Sequence, residues 1–389
     1  MSNATCKAIY IGGTDGKAKK IYPMGGPRTM TARFDLSNSD PSQWGEYLDD
    51  AVNMTAGSAE WDAFFGHYPA MIKNGAIVGE LDPSQGYAKY TDGTTADITS
   101  GTDGDVMIVF PRRGLKIWTD SGYLYVSITE KENQTGYEYY AHTYKGNACD
   151  WFALGRYKGY YDGSKLRSLS GQTPTGSQTI GTFRTYAQAG GTGYEQSAFF
   201  QLTYRQAMYM LKYLGQNAQL AVGAGYTKMT NTSTHITGGT NSLGMDYGES
   251  TGTEQCSLFG IEDFWGNIFE YIDGLYSNTD RQFLVADGNY NDTGSGYTDA
   301  GTPSFSSNIS GFVKNTNGTT IAGFTPSSAT YGSDSTYFCD SASISDRMAL
   351  FGGSRSIGAS AGVFNLYVNQ SASSSYATYG SRLMYMHTA

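Results

Sequence analysis

The sequence predicts an α+β protein, in which a larger C-terminal unit follows smaller β-rich N-terminal modules. Three observations lead there. The runs 106-VMIVFP-111, 115-LKIW-118 and 123-YLYVSI-128 are separated by turn dipeptides such as Asp103-Gly104 and Ser121-Gly122, the pattern of short strands joined by tight turns. Residues 198–216 place Ala207, Met210, Leu211 and Leu214 at helical spacing, which gives one face of a packed helix. Near the end, Phe364, Leu366 and Val368 alternate with Asn365, Tyr367 and Asn369. That is the period of a strand with one face buried and one face wet.

Taken in order, residues 1–60 read as an N-terminal arm or small assembly module. Within it 42–57 has the composition of a short helix, with Ser42 as its cap and Gly57 as its stop. Residues 61–134 form a β-rich module holding the three runs above. From 135 to 389 the chain reads as one α+β domain. Residues 152–163 are a strand followed by a turn. The 198–216 helix takes Thr203 as its cap, Gln206 three residues on, and Gly215 as its stop. Its Met and aromatic residues belong to the core. The aromatic-rich 258–276 stretch follows, and then long Asn/Gly/Ser/Thr connections from 277 to 345, which in compact domains are surface features. The tetrapeptide at 13–16 recurs at 101–104, and no longer period repeats.

Composition excludes several function classes. A net charge of −9 with 16% charged residues leaves no large phosphate-neutralising patch, so no nucleic-acid partner is expected. No run reaches the 18 apolar residues of a membrane span, so no membrane insertion is expected. The first residues show no charged segment followed by an apolar one, which predicts a protein made in the cytoplasm without a signal peptide. The chain has 51 Gly and 32 Tyr. Two readings stand: adaptable binding loops, in which Tyr supplies amphipathic area with few rotors, or a loop-rich β protein with many turns.

Candidate chemistry is sparse. Cys6, Cys149, Cys256 and Cys339 lie far apart without metal-finger spacing and read as buried free thiols. His67, His142, His235 and His387 form no i,i+4 pair and read as structural or surface residues. Glu262, Asp263, Glu270 and Asp273 fall within twelve residues. A calcium site or an acid/base pair is one reading; the other makes Glu270 a buried framework acid and the rest loop acids. No cofactor is expected, and 12–20 does not meet the phosphate-loop pattern.

The motifs together carry a resemblance. LGRYKGYYDG (154–163), LTYRQAMYMLKYL (202–214), FGIEDFWGNIFEYIDG (259–274), LFGGS (350–354) and YGSRL (379–383) resemble, in order and spacing, the C-type lectin fold. The branch is the one related to formylglycine-generating enzymes, and the likeness covers about 135–389. A less specific similarity links 86–111 to modules of phage tail and tail-fibre proteins. Within the lectin-fold branch, Gly352–Arg382 is similar to the variable segment of proteins diversified by retroelements through adenine-directed mutagenesis. That resemblance implies a non-enzymatic ligand- or receptor-binding protein with a variable region over about 350–382. It further implies a phage tail adhesin for host attachment, a protein or glycan partner on a cell surface, and a homotrimer by analogy with phage fibres. A bacterial cell surface is the alternative location.

Adenine replacement in an Asn-type codon yields Ser, Arg, Ile, Tyr, Thr or Asn. The diversified, ligand-binding positions implied are Ser354, Arg355, Ser356, Ile357, Ser360, Asn365, Tyr367, Asn369, Ser374, Tyr376 and Thr378. Gln370 joins them from a different template codon, and Arg355 stands where the family has an aromatic residue. The implied framework is Trp265, Asn267, Glu270, Gly352, Gly353, Phe364, Leu366 and Arg382, with Val368 beside them, so that the candidates point outward. Residues 340–389 hold no cysteine, and the EPN, QPD and WND motifs are missing. Neither formylglycine chemistry nor calcium-dependent sugar binding carries over. A formylglycine-type enzyme with an unrecognised site and a purely structural virion protein stand as the alternatives.

Overall fold

Three sheets built from strands far apart in sequence hold the chain together. The computed structural model describes residues 26–38, 45–230, 233–302, 318–325 and 347–388, plus the backbone of five short strands in the remainder. The fold is mostly β, with 33% strand against 13% helix. The principal strands are β1 (Thr29–Asp35), β2 (Gly45–Asp49), β3 (Tyr68–Lys73), β4 (Ala76–Glu80), β5 (Asp105–Pro111), β6 (Gly114–Asp120) and β7 (Tyr123–Thr129). They continue as β8 (Asn147–Gly155), β9 (Tyr194–Gln196), β10 (Phe269–Ser277), β11 (Phe283–Val285), β12 (Thr298–Asp299), β13 (Arg347–Phe351), β14 (Leu366–Gln370) and β15 (Leu383–Thr388). The helices are α1 (Glu60–Phe65), α2 (Ile180–Gln188), α3 (Phe199–Tyr213) and α4 (Ala218–Ala221).

The first sheet has the order β2-β1-β7-β6. The second runs β9-β15-β8-β5-β3-β4, and the third runs β12-β11-β10-β13-β14 and ends on the short strand Tyr337–Phe338. Both expected module boundaries are crossed. β1, from the expected N-terminal arm, pairs along its whole length with β7. β8 lies between β5 and the C-terminal β15. The apolar run at 106–110 explains the second crossing: all five side chains are buried, as in a strand covered on both faces.

Two local expectations are corrected. The predicted 42–57 helix is a strand over 45–49 followed by turns, and Ser42 lies outside the described residues. Pairing with β1 overrides helical propensity there. Gly45 permits it, since a Cβ would come 2.5 Å from the Phe34 ring. The long helix begins one turn earlier than expected, with Ala198 at its N-cap, and ends on Leu214 in left-handed geometry. Thr203 is therefore an interior residue. Tertiary contacts set that start: the Ser197 amide donates to Arg382 O, and Ala198 bridges to Asp273.

α3 is the central element. Residues 199–212 are all buried, packed against β1 and β7 on one side and β10 on another. A single apolar cluster runs from Phe34 and Val126 through Leu202 and Met208 to Phe351 and Phe364. A chain begun at residue 135 therefore loses β5 from beside β8 and the first sheet from beside α3. It is expected to lack a cooperative melting transition. A native-like transition by calorimetry would disprove this interdependence.

Candidate recognition surface

β10 and β14 begin, and β13 ends, at one end of the third sheet: Glu270 pairs with Phe351, and Phe351 with Leu366. The loops at that end carry the 352–365 segment. Beneath it lies a buried charge cluster. Glu270 Oε1 accepts from Lys158 Nζ at 2.9 Å, and Arg382 reaches the same oxygen at 2.7 Å. All three side chains are fully buried. Arg382 also donates to the carbonyls of Gly155, Arg156, Glu262 and Asp263. Burial alone raises the Glu270 carboxyl, but Arg382, then Lys158 and Arg205, outweigh it and hold it at about 2.

Two of the other clustered acids share a partner, since the Gln255 carboxamide donates to both Glu262 and Asp263. Glu262 accepts the amides of Gly238 and Thr240 at 2.7 and 2.8 Å. Asp263 takes the Gln255 and Asn267 carboxamides, and burial, then Glu262, raises its pKa. Asp273 pairs with Arg184 at 2.6 Å. Among the described residues no group of three or more His, Cys, Asp or Glu is placed to hold a metal ion. Glu270 is buried and hydrogen-bonded in β10; Asp273, expected as a loop acid, lies in the same strand, and Glu262 and Asp263 are buried too.

Asn267 ties the loops together from left-handed backbone geometry, φ 62°. Its carboxamide accepts the His235 amide at 2.9 Å and donates to His235 O at 3.0 Å, and its main-chain O accepts the Arg355 amide at 2.9 Å. The Trp265 indole donates to Ala224 O at 3.1 Å. Gly352 and Gly353 have φ of 85° and 86°, where side chains are strained. A Cβ on Gly352 would also sit 3.2 Å from Phe264 O. Phe364, Leu366 and Val368 are buried.

The outward-pointing expectation needs two corrections. Ser354 and Asn365 are 2% and 0% exposed. β14 starts only at Leu366, so the alternation does not extend back through 363–365, where all three residues face inward. Asn365 is structural: its carboxamide donates to Ser360 O at 2.7 Å, and its main-chain O accepts the Gly352 amide. Ser356 and Tyr376 are exposed. Arg355, Ile357, Ser360, Tyr367, Asn369, Gln370, Ser374 and Thr378 are half-exposed.

An aromatic array underlies this surface, and most of it was missed in the sequence. Tyr367 packs on Phe269, Phe269 on Tyr379, and Tyr379 on both Tyr376 and Tyr271, with centroids 4.9–5.8 Å apart. From Tyr271 it continues through Phe183 to Tyr186, which stacks on Tyr161 at 3.7 Å. The Tyr271 hydroxyl donates to Ser374 O at 2.6 Å. Only the excess of Tyr hinted at such an array, since its members are scattered over more than 200 residues. No family model matches the chain, and no curated protein matches it significantly.

Glu270→Gln removes the carboxylate that bonds both Lys158 and Arg382 and is expected to cost about 3–5 kcal/mol, read as a lowered Tm. The sign with pH follows from the depressed pKa. With Glu270 at about 2 in the fold and about 4.3 unfolded, its contribution is full at neutral pH. It fades as pH falls from about 4.5 to 2. An E270Q protein whose Tm equals wild type at pH 7 would refute this role.

Proposed function

We propose that the chain is a non-enzymatic binding protein whose 352–382 segment is a diversified recognition surface on a C-type lectin fold. It would serve as a phage tail-tip or tail-fibre adhesin that attaches to a protein or glycan on a host cell. The observation that carries this is the division of labour along one segment. Gly352, Gly353, Phe364, Leu366, Val368 and Arg382 are buried, while Ser356, Tyr367, Asn369, Gln370, Ser374, Tyr376 and Thr378 reach solvent. Surface positions decoupled from a core accept substitution without loss of fold. Tyr376, 58% exposed, and Tyr367 supply the anchors, with small polar residues around them. Each site alone is small, and display on a homotrimer raises its avidity.

The formylglycine-type alternative needs reactive thiolates. Cys149 and Cys256 are buried, and burial pushes their thiols up to about 11 and about 12, away from the thiolate. Cys6 and Cys339 lie outside the described residues. The two described thiols therefore offer the formylglycine-type alternative no reactive group.

Two measurements test the proposal. Substitutions at Ser356, Asn369, Ser374, Tyr376 and Thr378 are expected to move stability by no more than about 0.5 kcal/mol. Alanine at Phe364 or Leu366 is expected to cost about 2–5 kcal/mol. Equal tolerance at both sets by thermal melting would sink the display surface. In the genome, the expectation is a reverse transcriptase gene and a near-copy of the 350–382 coding region nearby. Their absence, with 354–378 invariant among sibling genomes, would sink diversification.

A further inference from the structure

A cavity of about 300 Å³ opens on the β11–β12 edge of the third sheet, three strands away from β14. One side is apolar and aromatic, formed by Tyr140, Phe200, Val285, Tyr297 and Ile321. Tyr140 and Phe200 stack with centroids 4.8 Å apart.

Among the described residues, the one charged group on the wall is Asp287. Its Oδ2 accepts the Gly146 amide at 3.0 Å, and its main-chain O accepts the Lys145 amide at 3.2 Å. The Lys145 ammonium is engaged over the Tyr144 ring, 4.7 Å from its centroid. Asp287 takes part in no ion pair among the described residues. The cavity wall therefore carries one carboxylate that enters no ion pair among the described residues, together with the Tyr140–Phe200 aromatic pair.

We propose that this cavity receives a cationic side chain of a partner protein, an alkylammonium or guanidinium on an aliphatic stem. The stem lies along Phe200, Val285 and Ile321, and the head meets Asp287. Ring faces and a carboxylate both attract a cation. An anionic group is repelled, and a neutral one leaves the carboxylate unpaired. The site is separate from the recognition surface and does not depend on its being diversified.

The test uses the full-length protein and ligand-observed NMR with Nα-acetyl-lysine amide and Nα-acetyl-arginine amide at millimolar concentration. The neutral Nα-acetyl-norleucine amide and a methyl hexoside serve as controls. The cationic amides are expected to bind wild type, and Asp287→Asn, which keeps an acceptor for the Gly146 amide, is expected to weaken them at least tenfold. Thr298→Trp, placed on an exposed wall residue to fill the mouth, is expected to abolish binding at unchanged Tm. The proposal is overturned if neither cationic amide binds, if norleucine amide binds as well as lysine amide, or if D287N binds normally. Binding of the hexoside alone, lost in Thr298→Trp, also overturns it and assigns the cavity to a neutral saccharide.

Discussion

The buried pairing of Glu270 with Arg382 and Lys158 is the constraint on which the rest of the structure depends. A lone carboxylate could not stay ionised there, and two cations could not stay without it. Arg382 alone reaches four carbonyls on two chain segments besides the carboxylate. It thereby fixes where β8 ends, where the 262–263 turn sits, and where β15 begins. Such a cluster adds little net stability over a well-packed apolar core. Its value here is geometric, because each donor and acceptor admits one arrangement of the segments it joins.

That arrangement lets the 352–365 loop be irregular without being loose. Asn267 and the paired glycines clamp the base of the loop, and the Gln219 carboxamide takes Gly358 O and Ala361 O from the side at 2.9 and 2.8 Å. The Gln206 carboxamide, projecting from α3, takes Val363 O at 2.9 Å. The backbone is thus held by groups outside the segment together with Asn365 within it. None of these bonds comes from the side chain of Ser356 or Tyr376.

How much of this was legible in the sequence depends on how local each signal is. The inward set of β14, Leu366 and Val368, follows from a period of two read over five residues. The positions of Gly352 and Arg382 came from motif spacing. Asn365 was misread because the alternation was carried two residues back beyond the start of β14, and Ser354 because it follows the left-handed Gly352-Gly353 turn, where no sequence period gives a side chain's direction. The 42–57 helix was misread because pairing with β1 outweighs propensity at Gly45. The sheets that interleave residues 29–129 with 147–388 leave no local trace, since β8 meets β5 and β15 only after the chain has closed long loops. The Tyr161–Tyr186 stack is hidden for the same reason.

The interleaving bears on how variation in the 354–378 segment would be tolerated. If that segment belonged to a small separate domain, each unfavourable substitution would act on a small stability margin. Here it rests on a core shared by all three sheets and α3, running from Phe34 to Phe364. Larger domains bury a greater fraction of their surface, so the reserve against a poor surface choice is greater. The aromatic array works in the same direction. Tyr367 and Tyr379 lean on Phe269 and Tyr271, which belong to β10, so replacing an outer ring leaves the inner ones seated. Under the proposed diversification, substitutions at the surface would act on a core shared across the sheets and α3.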